Sequence, residues 1–144
     1  MFYMEIKQTM RLARYQTQAL AADLPDAGFF TWDVPENVVY ADSALASLFG
    51  LDPVATEKGL PIENYLDRVH PEDLPRLAKT ISDSIVAHRP QQEVYRVLNI
   101  HEKYVTVSSL GRGFRDNNGE PVRYVGIVIP ADEGTEIPTS RVFM

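Results

Sequence analysis

The chain of 144 residues carries 14 Lys and Arg against 20 Asp and Glu, a formal charge of −6, with 44% hydrophobic and 10% aromatic content. That length suits one domain with a core of its own, and the acidic balance excludes both the basic face of a general nucleic-acid binder and attraction to an anionic membrane surface. Cysteine is absent, which removes disulfides, thiolate metal sites, iron–sulfur clusters and cysteinyl-linked chromophores.

Residues 2–24 read as one amphipathic helix, with Tyr3, Ile6, Met10, Ala13, Thr17, Leu20 and Leu24 spaced by three and four along a single stripe. Pro25-Asp26-Ala27-Gly28 stops it. Such a stripe packs either on its own domain or on a second copy of itself, and Ala13 and Thr17 make it a weak zipper. Ala19-Leu20-Ala21-Ala22 superficially resembles a cleavage site, but Glu5, Lys7, Arg11 and Arg14 leave no continuous apolar segment before it. The apolar run from Tyr124 to Pro130 is far short of the roughly 20 residues of a membrane-spanning helix. The expected location is the cytoplasm.

Next come two short strands, Phe29-Phe30-Thr31-Trp32-Asp33-Val34 and Asn37-Val38-Val39-Tyr40, joined by Pro35-Glu36 as a hairpin. Asp42 or Ser43 caps a short helix through Leu48-Phe49, which ends at Gly50. Further helical turns are expected at 53–56 and 62–68, separated by Gly59 and Pro61. Val69-His70-Pro71-Glu72-Asp73 leads into the longest internal helix, which ends near His88-Arg89-Pro90. Asp73 as its N-cap places Pro75 in the first turn, where the missing N–H costs nothing. Leu74, Leu77, Ala78, Ile81 and Ile85 form the buried stripe of this helix.

The last third is β: residues 92–99, 103–115 and 120–129 are rich in Val, Ile, Tyr and Thr, and Asp116-Asn117-Asn118-Gly119 is a strong turn between the second and third strands. Residues 131–144 are polar and without period, a loose tail.

This order of elements, with its particular words, resembles a PAS domain of the bacterial sensor type, over residues 27–130. The words are Gly28-Phe29-Phe30-Thr31-Trp32-Asp33, Ala41-Asp42 with Leu48-Phe49-Gly50, Val69-His70-Pro71-Glu72-Asp73, Glu93-Val94-Tyr95-Arg96-Val97, Gly111-Arg112, Arg115-Asp116-Asn117-Asn118-Gly119-Glu120-Pro121 and Tyr124-Val125-Gly126. The resemblance implies an α+β fold: a five-stranded antiparallel sheet in order 2-1-5-4-3 with short helices and one longer helix cupped over one face, preceded here by the amphipathic helix of residues 1–26. It also implies that the cup can hold a small ligand, and that the other sheet face and the leading helix mediate dimers. Two places depart from the family. The turn before Tyr104 reads Ile100-His101-Glu102-Lys103 where Asp-Gly is common, and the last strand runs into Pro130-Ala131-Asp132 instead of Asp-Ile-Thr and a signalling helix.

Within that cup, Trp32, Leu48, Tyr65, Ile81, Ile85 and Tyr124 are the candidate ligand-lining residues, with Gly126 allowing close approach to the strand. The competing reading is a dry core of the same residues. Haem-binding members of the family draw their proximal histidine from the longer helix, which points to His88; its position beside Arg89-Pro90 suits instead a cationic imidazole at a helix C-terminus. A noncovalent flavin is unsupported, and no cofactor is required. His70 reads as part of a helix start, His101 as a solvated turn residue. Gly111-Arg112-Gly113 lacks the third glycine and the following helix of a dinucleotide loop. No metal site and no catalytic residue is assigned, because the carboxylates Asp42, Asp73, Asp116 and Glu120 fall at caps and turns.

The expected function is a sensory or regulatory module acting through protein contacts, as a homodimer or docked on a signalling protein such as a sensor histidine kinase, with a small ligand in the cup as modulator. An input-domain fragment of a larger sensor kinase or diguanylate cyclase is the alternative, against which Met1 and the weak exit after Ile129 weigh. A small enzyme using the cup is the second alternative.

Overall fold

The computed structural model describes residues 5–8, 27–87 and 90–131. Residues 5–8 are helical, with Ile6 56% exposed. The remainder of the leading stripe (Tyr3, Met10, Ala13, Thr17, Leu20 and Leu24), His88 and the tail beyond Ala131 lie outside the described residues.

Five strands, β1 (Gly28–Asp33), β2 (Val38–Ala41), β3 (Gln91–Leu98), β4 (Tyr104–Arg115) and β5 (Pro121–Pro130), form one antiparallel sheet in order β2-β1-β5-β4-β3. That is the expected α+β architecture. Between β2 and β3 run α1 (Ser43–Leu48), α2 (Pro53–Lys58), α3 (Ile62–Leu66) and α4 (Leu74–Ala87).

Local chemistry sets each start and stop. The Asp42 carboxylate accepts from Leu45 N at 3.0 Å to cap α1 and from Phe29 N at 3.2 Å, tying the helix to β1. Asp52 caps α2 through Ala55 N at 2.9 Å, with Pro53 in the first turn. The tip between β4 and β5 closes on Asp116, whose Oδ1 accepts from Asn118 N at 2.8 Å and Glu120 N at 3.0 Å, while Gly119 takes φ +80°. The β1–β2 turn spans Val34 to Asn37 and is wider than the expected Pro35-Glu36, because Asn37 adopts φ 53° and leaves the ladder. In the turn that departs from the family pattern, Glu102 takes φ 59°, and Asn99 Oδ1 steadies it by accepting from His101 N at 2.9 Å and Lys103 N at 3.1 Å.

The core lies between the sheet and the helices. Val39, Leu45, Val97, Val107 and Val128 are at most 2% exposed, and Phe49, Tyr65, Leu77 and Tyr95 pack with them. Strand alternation places Phe30, Trp32, Tyr124, Val128, Ser109 and Tyr95 toward the helices, and Phe29, Leu110, Phe114 and Ile129 on the opposite face. Arg68 seals one end of the core, giving Nε to the Phe49 carbonyl at 2.9 Å and Nη2 to the Leu98 carbonyl at 3.1 Å.

Asp73 does precede α4 as expected, but its carboxylate is turned to β3. It accepts from Arg96 N and Nε on Oδ2, at 2.8 and 2.9 Å, and from Arg96 Nη2 on Oδ1 at 2.9 Å. The hydrogen bonds from Arg96 lower its pKa from the ordinary 3.8 to about 2. One turn on, the buried Glu93 of β3 receives Arg76 and the Thr80 hydroxyl from α4. This strip of paired charges is what holds the longer helix against the edge strand.

Candidate functional site

A partly open cavity of about 60 Å³ sits between the sheet and the helices. Strands supply Phe30 and Trp32 from β1, Tyr95 from β3, Ser109 and Gly111 from β4, and Tyr124 and Val128 from β5. Helices supply Leu45 from α1, Tyr65 from α3, and Leu77 and Ile81 from α4, with Phe49 just beyond α1. Among the described residues no charged side chain lines it.

Aromatic rings define its shape. Phe30 and Tyr124 stack with centroids 6.1 Å apart, Trp32 meets Tyr124 edge-on at 6.2 Å, and Phe49 meets Tyr65 edge-on at 5.6 Å. Gly111 is the reason Tyr124 fits: a Cβ there would fall 2.3 Å from the Tyr124 ring. Burial pushes the Tyr65 and Tyr95 hydroxyls up to about 12 and raises that of Tyr124, so all three are neutral phenols. Ser109 beside Tyr95 and Ser84 beside Tyr124 offset part of that rise. The Tyr65 hydroxyl is buried and has no partner.

Of the residues that the sequence nominates, the structure brings Trp32, Tyr65, Ile81 and Tyr124 together on this cavity. Leu48 is elsewhere, in a surface groove with Ile100, His101 and Pro130, because Leu45 and Phe49, four apart, take the inward face of α1 and its C-terminal end. Ile85 does not line the cavity either: the inward position at that level of α4 is Ser84, fully buried, and the Ile85 carbonyl accepts from Arg115 Nη2 at 2.8 Å. Gly126 faces the ring of Phe30, where a Cβ would lie 2.6 Å from Cζ, so the close approach it permits is by a side chain of β1. Phe30, Phe49 and Tyr95 are lining residues that sequence reasoning missed. Alternation from Trp32 points to Phe30, and the i, i+4 relation of Leu45 points to Phe49.

Trp32 is held by Asn37, whose Oδ1 accepts from Trp32 Nε1 at 3.0 Å and Ile62 N at 3.3 Å, while Nδ2 donates to the Glu63 carboxylate and lowers its pKa. Asn37→Ala removes these bonds and places a Cβ residue without a stabilising side chain at φ 53°. We expect a loss of about 2 kcal/mol in urea unfolding and a shifted Trp32 emission maximum; an unchanged emission would mean that Trp32 is fixed by packing alone.

His70 belongs to the helix start, its Nδ1 accepting from Glu72 N at 3.1 Å and its ring 4.7 Å from that of Tyr104. Among the described residues no three His, Asp or Glu side chains gather to hold a metal, and no helix is long and apolar enough to cross a membrane.

The opposite face of the sheet exposes Phe29 (58%), Leu110 (43%), Phe114 (43%) and Ile129 (39%), and a shallow apolar groove runs over Phe29, Leu110, Val125 and Ile127.

The model of the PAS fold family matches residues 38–128, most of the sheet and every helix of the cup. The chain belongs to the PAS fold family. Solved PAS structures repeat its architecture. The N-terminal domain of a diguanylate cyclase with PAS/PAC sensor from Marinobacter aquaeolei is 19% identical with a TM-score of 0.64, over 72% of this chain and 94% of that one. A sensory box histidine kinase/response regulator from Burkholderia thailandensis is 20% identical with a TM-score of 0.65, over 81% of this chain and 83% of that one. At such identities the likeness is one of fold. No sequence among the curated proteins matches the chain.

Proposed function

We propose that this PAS chain is a sensory module of a signalling system, acting through protein contacts on the outer face of its sheet and modulated by what occupies the cavity. The observation that carries this reading is that β1, β4 and β5 have two different faces. One lines the apolar cavity with Phe30, Gly111 and Tyr124; the other exposes Phe29, Leu110 and Ile129 to solvent. A ligand that binds one arrangement of Phe30 and Tyr124 better than another shifts the population of the strands that bear the outer patch. The family relatives named as a sensory histidine kinase and a diguanylate cyclase with a PAS sensor support the same role.

A second copy of the chain is the first occupant we assign to the outer face, since exposed apolar patches of this kind favour burial against a partner. The full chain is expected to sediment as a dimer at micromolar concentration, and Leu110→Glu to weaken that dimer at least about tenfold. A wild type that sediments as a monomer would remove the homodimer and leave docking on a signalling protein such as a histidine kinase. The diguanylate cyclase relative, itself an N-terminal domain, favours a second reading in which this chain is the input domain of a larger enzyme of that kind. An enzyme built on the cup has little to work with: among the described residues the ionisable groups in the lining are tyrosines, two of them pushed up to about 12 and the third raised.

A further inference from the structure

We propose that Asn118, at the tip of the β4–β5 hairpin, is a site of spontaneous covalent modification by its own backbone, and that Asp116 sets how fast it reacts. The Gly119 nitrogen attacks Asn118 Cγ, the bond from Cγ to the side-chain nitrogen breaks, and ammonia leaves. Water then opens the five-membered imide. Hydrolysis of its Cγ–N bond leaves an aspartate in the ordinary chain. Hydrolysis at the main-chain carbonyl carbon of residue 118 leaves an isoaspartate, with the chain running through the side chain. Water is consumed, ammonia is released, and nothing is oxidised or reduced. The site lies outside the cavity and does not rest on the sensory reading.

Sequence and exposure select this residue. Of the chain's asparagines, Asn37, Asn64, Asn99, Asn117 and Asn118, the last alone precedes a glycine. The others precede Val38, Tyr65, Ile100 and Asn118, whose side chains crowd the nitrogen that must attack. Residues 116–120 are exposed, and among the described residues the Asn118 side chain has no hydrogen-bond partner. A Cβ placed on Gly119 would meet nothing within 4 Å, so the ring has room to form.

Asp116 opposes the attack. Its carbonyl accepts from Gly119 N at 3.0 Å and so occupies the attacking group. Its Oδ1 accepts from Asn118 N at 2.8 Å and Glu120 N at 3.0 Å, fixing the chain on both sides of Gly119. The turn must open before the ring can close, and opening breaks these bonds. The products differ in what they do to the helix nearby. Arg115 gives Nη1 to the Gly119 carbonyl at 2.6 Å and Nη2 to the Ile85 and Val86 carbonyls at 2.8 and 2.5 Å. Those two belong to the last turn of α4, whose carbonyls have no intrahelical donor. Isoaspartate inserts an extra backbone carbon before Gly119, which moves its carbonyl off Arg115 and loosens the tie to α4. The aspartate product keeps both.

The test incubates the full chain in mildly alkaline buffer, native or in guanidinium, and follows ammonia release and isoaspartate by peptide mapping. Wild type is expected to convert at residue 118 and at no other asparagine, more slowly when folded than when unfolded. Asp116→Ala should speed the folded-state reaction about fivefold to tenfold and leave the rate in guanidinium unchanged. Asp116→Asn keeps a side-chain oxygen for the same bonds and should stay close to wild type. Amide hydrogen exchange over residues 84–87 should be faster in the isoaspartate form than in Asn118→Asp. The proposal is overturned if folded wild type shows no conversion at residue 118 once the unfolded chain has converted. Equal folded-state rates in wild type and Asp116→Ala, or equal exchange in the isoaspartate form and Asn118→Asp, overturn it as well.

Discussion

Asp73→Ala is expected to lower the free energy of unfolding by about 2–3 kcal/mol, whereas Glu72→Ala, one residue earlier on the same arginine, changes it by less than about 0.5 kcal/mol. The two carboxylates differ in burial and in geometry. The Asp73 side chain is 10% exposed and grips Arg96 with both oxygens and at the main-chain N–H as well; that of Glu72 is 76% exposed and reaches only Arg96 Nη2, at 3.2 Å. Removing Asp73 strands a backbone donor of β3 and loosens the joint between that strand and α4. The effect depends on pH in a defined direction. Because the folded-state pKa, about 2, lies below the ordinary 3.8, the unfolded chain takes up the proton first. The contribution is complete above about pH 4 and is lost as the pH falls toward 2. Urea midpoints of wild type and Asp73→Ala should therefore converge between those values. Curves that stay parallel over that range, or a Glu72→Ala effect as large as that of Asp73→Ala, would contradict this assignment.

The fold is legible in the sequence because its signals are local. Asp42 caps a helix, Asp116 and Gly119 close a tight turn, and β-branched runs fill the strands; each reads correctly without knowledge of what lies across the sheet. What escaped the sequence is tertiary. Asp73 looks like a helix cap, yet Arg96, a strand away, outbids the helix N–H groups with a bidentate charged contact. Arg68 ties three carbonyls at one end of the core, those of Phe49, Leu98 and Asn99, which no local pattern announces. The candidate site was half legible for the same reason. Trp32 and Tyr124 follow from strand alternation, and Ile81 from the stripe of a 14-residue helix. On α1, six residues long, a rotation of one position decides whether Leu48 or Phe49 points inward, and too few residues are present for a period to settle it. Ile85 continues the α4 stripe on paper, but at the end of the helix the cavity has closed and Ser84 stands beside Tyr124 there. In the sequence Gly126 reads as space for a ligand; the cross-strand partner Phe30 occupies that space.

Leu45→Ala is expected to cost about 3 kcal/mol or somewhat more, and Leu48→Ala about 1 kcal/mol, both measured by urea unfolding followed at Trp32. Leu45 is 1% exposed, lines the cavity and lies under β1 so closely that a Cβ at Gly28 would be 2.5 Å from its own Cβ. Backbone at that distance cannot advance to fill the space, and Asp42 pins α1 to Phe29 N, so the helix cannot drop either. The truncation thus leaves nearly its whole volume as void, which is the condition under which large-to-small substitutions reach the upper part of their range. Leu48 is only partly buried, on a groove open to water, where side chains can relax and solvent can enter. A further consequence separates this cavity from an inert packing defect. The void made by Leu45→Ala adjoins the existing one, so the variant should accept a compact apolar molecule, such as benzene, more tightly than wild type and regain stability in its presence, as any ligand restricted to the folded state requires. Equal losses for Leu45→Ala and Leu48→Ala would mean that α1 does not present Leu45 to the cavity. A large loss at Leu45 with no recovery by benzene would mean that the enlarged space collapses and does not open to solutes.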